Sequence, residues 1–188
     1  MKEKVSQFLV DVLSPVISPV MEFLGFNLAS IDMVVKYIVV FLISMLPIIE
    51  LRGAVPVGIG MFDLDIIPTY IVSIIGNMLP VPFILLFITK FCELLKKVKY
   101  LRAIPLWLEK KVAKKQGKIT KYENFGLFLF VAIPLPGTGA WTGALIASFL
   151  GYKFKDALIS IFLGVLTAGV IMSAISFGLF DFILGLFK

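Results

Sequence analysis

The segment Pro47-Ile48-Ile49-Glu50-Leu51-Arg52-Gly53-Ala54-Val55-Pro56 decides how this chain folds, because it sets a carboxylate and a guanidinium inside an apolar run. That run, residues 37–62, also carries Gly58 and Gly60. Its uninterrupted apolar part, 37–49, has 13 residues. As helix this reaches about 20 Å, short of a hydrocarbon core of about 30 Å. A second interrupted run, 125–150, has no charge but holds Pro134, Pro136, Gly137 and Gly139 at its centre. Proline removes a backbone donor, and glycine accepts the positive φ of a tight reversal. Each run is therefore predicted to be two short helices joined by a non-helical tip. Two other runs are clean: 66–88 and 157–180 have 23 and 24 residues and no charge. Each reaches roughly 35 Å as helix and is predicted to span a bilayer.

Composition agrees. Of 188 residues, 60% are hydrophobic and 16% charged, with a mean hydropathy of +1.03. Soluble domains average about 45–50% apolar and about 25% charged, so a soluble enzyme, a coiled coil and a disordered module are excluded. The single Cys92 permits no intrachain disulfide. The lack of histidine removes imidazole catalysis and His-ligated zinc, so no cofactor or metal is expected. Eleven basic residues between Lys90 and Lys121 face only Glu93 and Glu109, a local charge of +9. A basic loop between apolar regions reads as a cytoplasmic topology signal that also meets anionic lipid heads, not as a nucleic-acid surface.

The interrupted runs could be broken helices that cross or re-entrant hairpins that return to their own side. If they crossed, Lys153 and Lys155 would lie outside with Asp63 and Asp65. As hairpins they leave both lysines inside and both aspartates outside, which the positive-inside rule favours. The expected fold is an all-α integral membrane protein of two inverted repeats, each a re-entrant helical hairpin followed by a spanning helix. Residues 1–36 form an N-terminal interfacial helix, and 37–89 form repeat one (hairpin 37–62, span 66–88). Residues 90–121 are a basic cytoplasmic loop with an amphipathic helix, carrying Leu101, Ile104, Trp107, Leu108 and Val112 on one side. Residues 122–188 form repeat two (hairpin 125–150, span 157–180). Transporters commonly use this plan, with the discontinuous segments meeting near the midplane. Gly139, Gly143, Ala147 and Gly151 recur every four residues as a packing ridge.

Glu50 and Arg52 are the ionisable residues deep in a run, and intramembrane charge is a functional hypothesis by default. At the second tip, Pro134, Pro136, Gly137, Thr138 and Gly139 precede a short helix whose N-terminus favours an anion. Thr138 would cap that helix. With Arg52 they would make a midplane site for an anionic head group, phosphate above all, since guanidinium matches phosphate geometry. Glu50 would take up or release a proton. Pro56 and Trp141 flank the two tips, Trp141 as a gate or a packing residue. Asn77 with Pro80 and Pro82 marks a kink, and Thr167 and Ser173 read as structural polar contacts.

Residues 47–56, and Ala132-Ile133-Pro134-Leu135-Pro136-Gly137-Thr138-Gly139-Ala140-Trp141-Thr142-Gly143, resemble the two signatures of the bacterial and archaeal small multi-drug export protein family. That family is similar to the wider DedA superfamily, which includes eukaryotic VTT-domain proteins. The resemblance covers about 37–180. It implies two re-entrant hairpins, lipid movement across bilayers (undecaprenyl phosphate recycling, phospholipid scrambling) and functional charges at the tips, here Glu50 and Arg52. The second DedA signature carries arginines around its proline, whereas 131–141 has none.

The expected function is a non-enzymatic, multi-pass cell-membrane transporter. It would move an anionic lipid, polyprenyl phosphate or phospholipid, through a site between the hairpins with proton coupling through Glu50. The expected partners are membrane lipids, protons and, as an open alternative, a second copy of the chain. The rival readings are a proton-coupled exporter of cationic compounds, which Arg52 disfavours, and a non-transporting membrane scaffold, which would need no buried charge.

Overall fold

Proline sets several helix ends, as its missing N–H and its restriction of the preceding residue require. The computed structural model describes residues 8, 11, 12, 14–17, 19, 28–96, 106, 110, 123–135 and 137–186. Its elements are α1 (Leu28–Met45), α2 (Glu50–Pro56), a π-helical turn (Val57–Met61), α3 (Ile66–Met78), α4 (Pro80–Lys96), α5 (Glu123–Ala132), α6 (Ala140–Phe149) and α7 (Phe154–Leu186). No strand occurs among the described residues. Pro47 follows α1, and Pro80 opens α4 at the first helical position, where a donor is not needed. The helical run is interrupted at Leu79, where Asn77, Pro80 and Pro82 place the expected break. Two stretches are long and apolar enough to cross a membrane, Ile66–Leu94 and Phe154–Gly178.

Three features depart from the sequence expectation. Helix α1 begins at Leu28, before the apolar run starts. Asp32 and Lys36, ahead of that run, pair at 2.8 Å one turn apart on the helix surface. Residues 50–61 are helical despite Gly53, Pro56, Gly58 and Gly60, so the non-helical tip shrinks to 46–49. Pro56 is the last residue of α2, and the chain continues as a π turn in which Phe62 N–H bonds the Val57 carbonyl five residues back, at 3.0 Å. Within 1–36, residues 8, 11, 12, 14–17 and 19 are helical. The expected amphipathic helix at Leu101–Val112 and most of the basic loop lie outside the described residues.

Contacts divide the chain into two compact units, Met1–Gly76 with Gly169–Lys188, and Asn77–Ala168. In the first, α1 turns back through Leu46–Ile49 onto α2. Glu50 N–H bonds the Leu46 carbonyl at 2.9 Å and Gly53 N–H bonds Ile49 at 3.1 Å. Val39, Val40, Ala54 and Phe62 form the core of this fold-back, with Ile43, Val57, Met61, Leu64 and Val72 against it. Close approach depends on missing side chains. A Cβ at Gly58 would meet Thr69 and Val40, and one at Gly76 would meet Ser44 and the Phe41 carbonyl. In lipid, helix association comes from such tight van der Waals contact, because the surrounding chains are as apolar as leucine.

In the second unit α6 packs on α4 and α5. The Ser148 hydroxyl donates to the Ala144 carbonyl at 2.8 Å and sits 3.4 Å from the Ile84 carbonyl of α4. Gly143 faces Val131 and Leu127 of α5, and a Cβ there would lie 2.7 Å from Val131 Cγ2. Gly139, Gly143 and Ala147 are buried, as a packing ridge requires, but Gly151 is exposed with nothing near it. Its role is conformational. Gly151 adopts φ +72°, and Tyr152 N–H bonds the Ala147 carbonyl at 3.0 Å, closing α6 with the left-handed turn that glycine accommodates.

These two glycines should behave differently. Gly151→Ala is expected to destabilise the protein by about 1 kcal/mol through backbone strain alone. Gly143→Leu should cost more, because Val131 is already in contact. Thermal unfolding of the detergent-solubilised variants checks the order.

Candidate functional site

In the first unit, the α1–α2 turn buries a carboxylate. Glu50 is 3% exposed and is the first residue of α2, with φ +54°. Left-handed backbone costs an ordinary L residue about 1–2 kcal/mol, and such strain gathers at functional positions. Leu51, Ala54 and Val55 share the buried side of α2, while Arg52 is half-buried. A regular helix would turn residues two apart to different faces. Glu50 departs from helical φ, and its charge and that of Arg52 act on one another electrostatically. Pro56 lies at the far end of the same short helix, where it ends the α-helical ladder.

The return leg of this fold-back comes level with the middle of α1. Leu64 packs against the cluster that Val39 and Val40 of α1 help to form, and burial, with the Asp65 carboxylate second, pushes the Tyr37 phenol above its usual value. From Tyr37 to Met45 the helix rises only about 12 Å, so the turn lies well short of a full hydrocarbon thickness from that level.

In the second unit, residues 133–139 form the second tip, with Pro136 outside the described residues. Leu135 N–H bonds the Ile133 carbonyl at 2.8 Å across Pro134. Thr138 N–H bonds the Leu135 carbonyl at 3.2 Å, with Gly137 at φ +78° inside that turn. The Thr138 hydroxyl does not cap α6. It lies 2.9 Å from the Ile133 carbonyl and 2.8 Å from that of Leu135, so it donates back toward the end of α5. The N-cap of α6 is Gly139, at φ +115° with no side-chain cap, and Gly143 N–H bonds its carbonyl at 2.8 Å. Trp141 is half-buried in the first turn of α6. The structure thus groups Glu50, Arg52 and Pro56 in one unit, and Pro134, Gly137, Thr138, Gly139 and Trp141 in the other.

Residues 50–171 match the family described as "Putative small multi-drug export protein". The chain belongs to this family. No curated protein and no solved structure matches it. The family match begins at Glu50 itself and takes in Arg52, Pro56 and the whole second tip, while the turn residues 46–49 precede it.

Sequence reasoning passed over Thr69 and Ser73 and took Asn77 only as part of a kink. All three are fully buried on α3, and none of their side-chain polar atoms has a hydrogen-bond partner. Their spacing of four within an apolar helix was the available signal, since it puts polar atoms on one face. Ser173, read as a structural polar contact, also has a buried hydroxyl without a partner, whereas Thr167 bonds the Leu163 carbonyl of its own helix at 2.9 Å.

The strain at Glu50 separates structure from chemistry. Glu50→Gly is expected to raise stability by about 1 kcal/mol, by relieving the left-handed backbone. Both Glu50→Gly and Glu50→Gln should abolish transport in proteoliposomes. A large loss of stability in Glu50→Gly would instead make the carboxylate a structural group.

Proposed function

We propose that this member of the export family is a membrane transporter whose cargo is a lipid with an anionic phosphate head, polyprenyl phosphate or a phospholipid. The observation that carries this reading is the buried, backbone-strained Glu50 with Arg52 two residues on, at the turn of a helical fold-back. A guanidinium at that depth suits phosphate, which it can meet with paired hydrogen bonds. Glu50 is the proton-exchanging group, since a desolvated carboxyl holds a proton more readily than one in water. In the second unit, the N-terminal end of α6 favours negative charge through its dipole.

The fold-backs are re-entrant in this reading. α5 and α6 have 10 residues each, about 15 Å, too short to cross. Tyr37 and Asp65 mark the mouth of the first fold-back, and the Asp32–Lys36 pair lies beyond that mouth in the interface. The inverted repeat finds support in the spacing of elements. α2 and α6 begin at Glu50 and Ala140, and α3 and α7 at Ile66 and Phe154, offsets of 90 and 88. Each unit also joins one fold-back to the first part of the following long helix and the last part of the other. The basic loop and Lys153 face the cytoplasm, where positive charge is retained. The likeness of both tips to the export family's signatures, and that family's similarity to the DedA superfamily, add to the lipid assignment.

The family description favours a second reading, export of cationic compounds, in which Glu50 alternates between proton and cation. Fluorescent polyprenyl phosphate flipping and cationic dye uptake, assayed in the same reconstituted vesicles, separate the two. Lipid flipping that falls at least tenfold in Arg52→Ala, with no dye transport, is the expected result. Dye transport that survives Arg52→Ala and is lost in Glu50→Gln would replace it with the export reading. For topology, Lys153→Cys in a Cys92→Ala background should react with an impermeant maleimide in inverted vesicles and stay unlabelled in intact cells. Labelling in intact cells would overturn the hairpin arrangement.

A further inference from the structure

We propose that the buried face of α3 in the first unit binds an ordered water molecule that bridges the hydroxyls of Thr69 and Ser73. This goes beyond the transport reading and does not depend on the cargo. Both residues are 0% exposed, and neither hydroxyl has a hydrogen-bond partner. On α7 in the same unit, the buried Ser173 hydroxyl also lacks one.

The behaviour of the other helical hydroxyls makes this informative. A serine or threonine in an apolar helix ordinarily bonds a carbonyl of its own preceding turn. Ser44 does so to Phe41 at 2.7 Å, Ser148 to Ala144 at 2.8 Å, Thr167 to Leu163 at 2.9 Å and Ser176 to Met172 at 2.7 Å. Thr69 and Ser73 do not take that option. A buried hydroxyl left unpaired suffers the full loss of hydration, and native proteins resolve such groups with internal water.

The spacing suits water. Residues four apart on a helix have Cβ atoms about 5–6 Å apart. One water with hydrogen bonds of about 2.8 Å on either side bridges that gap. A neutral hydroxyl both donates and accepts, which matches water and gives an ion no charge to pair with. Supply is close at hand, because Asp65 is exposed one helical turn before Thr69, whose N–H bonds the Asp65 carbonyl at 3.1 Å. Beside Thr69 stands Gly58, where any Cβ would press on the threonine.

The test is water-to-amide magnetisation transfer by NMR on the full chain in lipid nanodiscs. Thr69 and Ser73 amides should show water cross-peaks, with exposed Asp65 as the wet reference and fully buried Ala54 as the dry one. Thr69→Val/Ser73→Ala should remove the peaks at both positions, and Thr69→Ser should keep them. The double variant should also unfold at lower temperature, because it discards the water-mediated bonds. If it fails to fold, Ser73→Ala alone should lose the Ser73 peak. Absence of peaks at Thr69 and Ser73 in the parent protein, with Asp65 positive, overturns the proposal. So does a rise in the double variant's unfolding temperature, which is what removal of two dry, unpaired hydroxyls would produce.

Discussion

Backbone hydrogen bonding in an apolar medium is the constraint from which this structure follows. A chain in hydrocarbon cannot leave peptide groups to water, so non-helical backbone is tolerable only where the chain satisfies itself or is covered by protein. Both tips meet this requirement locally. At the first, Glu50 N–H returns to Leu46 and Gly53 N–H to Ile49, keeping the non-helical stretch to a few residues. At the second, the Thr138 N–H bonds the Leu135 carbonyl within the tip, and its hydroxyl lies against the carbonyls of Ile133 and Leu135. Each fold-back is a short helical pair with an internally bonded turn, and each is held by glycines that let helices touch.

The same economy makes the exceptions conspicuous. Glu50 is buried in a left-handed conformation that a glutamate does not choose for its own sake. Thr69 and Ser73 decline the back-bond that neighbouring hydroxyls make. The first unit thus buries an acid and two hydroxyls that its own helix does not back-bond. Natural proteins break local rules in this way where a ligand, a proton or a solvent molecule completes the arrangement. Membership of an export family agrees with a membrane transporter, and the proposed cargo rests on Arg52.

Much of the helix plan was readable because apolar length and proline position act locally. Residues 66–88 and 157–180 lie within long helices, and Pro80 breaks the first where Asn77 and the prolines signalled. Other expectations fail where apolar length and glycine are taken at face value. Helix α1 starts at Leu28, ahead of the apolar run, with Asp32 and Lys36 paired along it. Gly53, Gly58 and Gly60 were read as breakers of helix, yet they lie in helical turns, with Gly58 admitting Val40 and Thr69. Thr138 was read as a cap for the helix after it and serves the helix before it. Of the ridge, Gly151 proved to be a turn residue.

By itself, the sequence determined that this chain is helical, that two stretches are long and apolar enough to cross a bilayer, and that two others are interrupted. Those are properties of composition and of near neighbours along one helix. Only the tertiary structure decided that Glu50 is buried at φ +54°, that the Thr138 hydroxyl points backward, and that Thr69 and Ser73 face inward unpaired. Burial and hydrogen-bond partnership depend on what another segment brings alongside, and spacing along a chain does not carry that information.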